Sequence, residues 1–212
     1  MDVSFVDAAV HTKETWLKEI SANPVIDITE SMMRHTVRTA TSTMFNTEMT
    51  DAAGTIINSF VTLNETAVHR IPRLVTVPLW IPTPENRKIA KANHALHSTI
   101  QSLIDARKDT PVEANDMLGL LMEARDEETG EGFSDEELRY QLLTLLVGGF
   151  DTSANVLSFS LFSLADNPDV LAKVREEADR VFGQGLPSAE HLNQLEYTTR
   201  VLAESMRLYP PV

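Results

Sequence analysis

From Leu142 to Leu164 the sequence carries one formal charge, Asp151, and this apolar run constrains the fold more than any other feature. Extended back to residue 135, it makes a helix of about thirty residues, on the order of 45 Å at 1.5 Å per residue, enough to cross a whole domain. A run of this length also passes for a membrane span. Against that, a central aspartate costs about 2.5–3.5 kcal/mol on insertion scales, and Asn155 with Ser153, Ser158, Ser160 and Ser163 adds polar load. A core-crossing helix is the expectation. Its middle is odd, because adjacent Gly148 and Gly149 each cost about 1 kcal/mol relative to alanine in a helix interior. Leu145, Gly148, Gly149 and Thr152 share one helical stripe, with Asp151 beside it as a proton-exchangeable group. Missing side chains let a flat ligand lie against the backbone. Close packing of a second helix is the competing explanation.

The rest of the chain reads as mainly α. Apolar residues recur at spacings of three and four, which predicts helices near 6–21, 29–46, 49–70, 85–108, 114–127, 135–165, 168–182 and 195–208. Pro72, Pro78, Pro82 and Pro84 break the pattern and leave an apolar connection with Trp80, expected to pack on something. In RDEETGEGFSDEEL, Gly130 and Gly132 end one helix, and Ser134 with Glu137 forms a capping box that starts the next.

Composition narrows the functions. The 212 residues hold 31 acidic and 18 basic side chains, a net charge of −13, which repels nucleic acid. There is no cysteine, so no disulfide, zinc-thiolate site or cysteine nucleophile forms within these residues. The opening MDVSFVDAAVHTKETW lacks the pattern of a signal peptide. His94 and His97 have metal-ligand spacing, but no third ligand accompanies them and no metal site is expected. Arg70, Arg73, Arg87, Lys88 and Lys91 read as a solvated basic face.

Near the end, in VLAESMRLYPPV, Glu204 and Arg207 are three apart and can meet on one helix face, with Arg200 competing for the same carboxylate. Their otherwise apolar helix stops at Pro210 and Pro211, so the pair is expected to be buried and to need further partners. The order and spacing of these pieces resemble the cytochrome P450 family of haem-thiolate monooxygenases. GGFDT, Gly148 to Thr152, is similar to the oxygen-activation motif of that family's long central helix, and ESMR, Glu204 to Arg207, to its Glu-x-x-Arg motif. SLADNPDVLAKVREEADRVFG, LNQLEYTTRVLAESMRLYPPV and LLMEARDEETGEGFSDEEL resemble the segments around them. The likeness is strongest from residue 114 onward.

The resemblance implies the helical part of the cytochrome P450 fold, from about helix D to helix K, as a partial domain over residues 1–212. It implies haem as cofactor, with Gly148 and Gly149 lying over its distal face. Asp151 and Thr152 deliver protons to reduced oxygen, Leu145 and Val212 approach the substrate, and Glu204 with Arg207 forms a structural charge network. Dioxygen, a small apolar organic substrate and a reductase or ferredoxin electron donor are the implied partners. The family's iron-ligating cysteine loop has no counterpart here, so the chain reads as an internal fragment, inactive alone. A non-catalytic helical interaction or ligand-binding protein derived from the same fold is the alternative. A cytoplasmic location is expected, any membrane anchor lying outside these residues.

Overall fold

The computed structural model describes residues 2–45, 50–73, 75–109, 116–183 and 185–211, with the side chains of 2–4, 45 and 50–53 left out of the description. The elements are helices, with no strand among the described residues: α1 (Asp2–Ala22), α2 (Ile28–Phe45), α3 (Thr50–Arg70), α4 (Pro84–Asp109), α5 (Met117–Glu123), α6 (Asp135–Asp166), α7 (Pro168–Phe182), a 3-10 helix (Ala189–Gln194) and α8 (Glu196–Leu208). The mainly α expectation holds.

Two compact units divide the chain, one made of Met1–Thr39 with Gly148–Val212, the other of Ala40–Val147. In the second unit α3 packs on α4. Ala92, Leu96, Ile100 and Ile104 are buried at four-residue intervals on α4, along with Ile56 and Ile57 of α3 and Leu118 of α5. Two ion pairs tie the C-terminal end of α4 to the starts of the next helices. Arg107 binds Asp116, whose carboxylate also caps α5 by accepting the Gly119 N–H at 2.8 Å. Lys108 meets Asp135, the first residue of α6, at 2.6 Å. Each pair sets a cation at a helix C-terminus and an acid at an N-terminus, as the helix dipoles favour.

Helix α6 starts at the predicted capping box: the Ser134 N–H donates to Glu137 Oε2 at 2.9 Å, and the Glu137 N–H to Ser134 Oγ at 3.4 Å. Pro168 follows its end. Among the described residues it is the one helix long and apolar enough to cross a membrane by length and composition. Leu138, Leu142, Leu146, Phe150, Ala154 and Ser158 are all buried. Four-residue steps drift about 40° per step around an α-helix, so the buried face winds round α6 instead of forming a straight stripe.

Three expectations need correction. Helix α5 is shorter than 114–127; residues 114 and 115 lie outside the described residues, and the C-terminal end comes early. The Asp126 N–H donates to Glu131 O and the Gly130 N–H to Asp126 O, both at 2.9 Å, while the Asp126 carboxylate accepts the Glu128 and Thr129 N–H groups. Gly130, at φ 71, belongs to this tight turn and does not end a helix. Among its described residues, the proline-rich connection leaves most of its apolar side chains exposed. Trp80 is 82% exposed, with Ile71, Val75 and Leu79 also open. Its backbone is instead held by buried Asn86, whose Nδ2 donates to Pro78 O at 2.8 Å and Ile81 O at 2.7 Å. The 3-10 helix was not predicted, because its capping box uses His191 Nδ1, 3.0 Å from the Ser188 N–H, in place of the usual Glu or Gln.

Candidate active site

At 100° per residue, Leu145, Gly148, Gly149, Thr152, Val156 and Phe159 fall on one side of α6. That side is largely open: Leu145, the two glycines and Phe159 are exposed, and Thr152 is half-buried. A Cβ built on Gly148 or Gly149 would meet nothing within 4 Å. Close helix–helix packing among the described residues therefore does not explain the glycines. They leave a bare strip of backbone beside an apolar side chain and a hydroxyl.

Thr152 Oγ1 donates to Gly148 O at 2.7 Å, so the hydroxyl is tied back across one turn of its own helix. Asp151 stands next to it, half-buried. Burial pushes its carboxyl above the usual aspartate range, and among the described residues no cation or hydrogen-bond donor pulls it back. The site thus has a carboxyl inclined to hold a proton, a hydroxyl one residue on, and a surface without side chains.

Glu204 and Arg207 meet as their spacing predicts, on α8. Arg207 donates from Nε to Glu204 Oε2 at 2.7 Å and from Nη2 to Oε1 at 2.6 Å. Two expectations about them fail. Both side chains are exposed, and Arg200 pairs with Glu196 at 3.6 Å instead of competing for Glu204. Arg200 has an acid at each helical spacing, four residues back and four on, and takes the one at the N-terminal turn. Val212 lies outside the described residues. His97 sits edge-on to Tyr140 with ring centroids 5.5 Å apart, and no group of three or more His, Cys, Asp or Glu side chains gathers among the described residues. Sequence reading missed Glu177 of α7, a buried carboxylate bonded to the start of α8. The available signal was Leu195, an apolar residue where a helix start calls for Ser, Thr, Asp or Asn.

A family model described as Cytochrome P450 matches residues 4–212. The chain belongs to the cytochrome P450 family. It is 32% identical over 97% of its length to the bifunctional cytochrome P450/NADPH–P450 reductase 2 of Bacillus subtilis strain 168, covering 20% of that protein. It is 33% identical over 88% of its length to the cyclooctat-9-en-7-ol 5-monooxygenase of Streptomyces melanosporofaciens, covering 41% of it. A self-sufficient cytochrome P450 monooxygenase of Oidiodendron maius shares 43% identity over 51% of the chain. The chain thus spans from about a fifth to two fifths of the first two relatives.

Cytochrome P450 proteins are haem monooxygenases, and the open side of α6 fits one face of a planar macrocycle: two adjacent glycines, no atom of the described residues within reach of a Cβ there, and an apolar residue one turn before them. The fit covers that face alone. The 212 residues contain no cysteine to offer the iron as thiolate.

Proposed function

We propose that these residues are the helical part of a cytochrome P450 domain that inserts one atom of dioxygen into a small apolar organic substrate, drawing electrons from a reductase or ferredoxin. The observation that carries this is the bare glycine surface of α6 directly beside an aspartic acid whose carboxyl burial keeps protonated more readily than usual. Haem, when bound, supplies the iron chemistry that activates dioxygen and that no side chain provides.

The chain's own residues supply space, orientation and protons. Gly148 and Gly149 keep side chains away from the macrocycle face. Leu145, 36% exposed and one turn earlier, offers an apolar contact to substrate. Asp151 holds a proton at its carboxyl and Thr152 relays it through Oγ1, the bond to Gly148 O keeping that hydroxyl in place until it is used. Val212 serves as a second substrate contact. Glu204 and Arg207 orient each other and await a third charged partner outside this chain. We place the protein in the cytoplasm.

The reduced carbon monoxide difference spectrum tests the reading. The 212-residue chain, without cysteine, gives no haem-thiolate band after reconstitution. A longer form of the protein that carries a cysteine-bearing loop should give the band. Absence of such a loop, or of the band from the longer form, favours a non-catalytic helical protein built on the same fold.

A further inference from the structure

Helix α8 begins without a cap of its own. Leu195 occupies the N-cap position at φ −90 and ψ 54 and makes no side-chain capping bond, which leaves first-turn N–H groups in need of an acceptor. The acceptor comes from α7. Glu177, 7% exposed, accepts the Tyr197 N–H at Oε1 and both the Thr198 N–H and the Thr198 hydroxyl at Oε2, each at 2.8 Å. Tyr197 and Thr198 are the second and third residues of α8, and theirs are the amides that an N-cap side chain normally satisfies.

The same turn is held from α7 a second time, by Lys173, whose Nζ lies over the Tyr197 ring 5.9 Å from its centroid. Burial works against ionising Glu177. The bonds from Thr198 and Tyr197, with the charge of Arg180 at 3.7 Å, outweigh it and keep the carboxyl below the usual glutamate range. The carboxylate therefore faces the positive end of the α8 dipole in its charged form.

We infer that Glu177 is a positioning residue, the N-cap of α8 supplied from α7, which fixes how that helix presents the Glu204–Arg207 pair. Helix α8 has 13 residues, and a helix this short is marginal without tertiary support or caps. Glu204 lies six residues beyond Thr198, about 9 Å along a stiff rod, so holding the first turn holds the pair. The capping role rests on the chain's own geometry; only the value of the positioned pair rests on the proposed monooxygenase function.

Amide hydrogen exchange on the chain in three forms tests this without haem, so its failure is separate from failure of the functional reading. Glu177→Gln keeps size and packing but replaces one acceptor oxygen with a donor. Exchange at Tyr197 and Thr198 should quicken about five- to tenfold, the effect of losing one cap, with a smaller rise along α8 towards Arg207. Adding Leu195→Asp to Glu177→Gln should return both amides to within about twofold of the starting rate, because an aspartate can cap the turn locally. Leu195→Asp alone should change little, the amides being already bonded. Unchanged exchange in Glu177→Gln overturns the inference. So does a loss of protection that Leu195→Asp fails to relieve, which would make Glu177 a general strut between α7 and α8, and so does strong extra protection in Leu195→Asp alone.

Discussion

Arg107 and Asp116 form a two-pronged ion pair in which Nη1 donates to Oδ1 at 2.8 Å and Nη2 to Oδ2, with both side chains largely buried. The same Asp116 oxygen that accepts from Arg107 Nη1 caps α5 through the Gly119 N–H. Arg107 is the leading cause that holds the Asp116 carboxyl below the usual range. Asp116→Ala removes the cap and takes the two-pronged acid partner from a largely buried guanidinium. Chemical denaturation should show a loss of about 2–3 kcal/mol. Arg107→Met/Asp116→Leu should lose less, because both members of the buried ion pair are then replaced by apolar side chains.

The glycines of α6 give a prediction that divides packing from function. Both are helical, and neither has a neighbour that a methyl group would strike. Gly148→Ala and Gly149→Ala should each raise the stability of the chain by about 0.5–1 kcal/mol. If the proposed role of the glycines holds, the same changes should lower turnover of the haem-loaded enzyme by filling the space they keep open. Thermal melts that fall on substitution would instead mean a packed neighbour.

Asp151 also affects stability with a definite sign. Its folded carboxyl titrates above the unfolded one, so the charged form is the costly one. That cost is absent below the unfolded value and is fully present once pH has risen through the folded value. Asp151→Asn should therefore raise the melting temperature at neutral pH and make no difference in acid. The gain should stay below about 1 kcal/mol, as the group is half-open to solvent.

His35 works in the opposite pH direction. It sits on α2 with its Nδ1 2.9 Å from Thr12 Oγ1 of α1, and burial lowers its pKa against an opposing bond to Ala8. His97 is lowered as well, by burial and then by the charge of Arg139. The unfolded chain then binds protons the folded chain refuses, and stability falls as pH drops below about 6.5. A His35→Asn/His97→Asn chain should lose less stability between about pH 7 and 5, read from denaturation midpoints across that range.

The long helices were legible because their signals are local. The Ser134–Glu137 box and the Glu204–Arg207 spacing each act within one turn. What the sequence hid depends on contacts or turn geometry that periodicity does not encode. Asp126 and Gly130 close a turn that shortens α5, and His191 stands in for an acid in a capping box. Asn86 holds the proline-rich connection by its carbonyls while Trp80 stays in solvent. Glu177 caps a helix that starts about twenty residues later, which no local pattern announces. At the site, the GGFDT stretch was legible as a motif, and the structure adds that among the described residues no atom stands where a Cβ of Gly148 or Gly149 would come.

The proposed role of the Asp151–Thr152 pair meets its most direct test in the haem-loaded complete enzyme, by measuring product formed per reduced nicotinamide consumed together with hydrogen peroxide released. Thr152→Ala should leave haem content and substrate binding nearly intact while diverting reducing equivalents into peroxide. Asp151→Asn should slow turnover by about 10²–10⁴-fold, the usual contribution of a positioned acid–base group. If both variants keep the parent rate and coupling, the aspartate and threonine take no part in proton delivery and the functional reading of α6 is wrong.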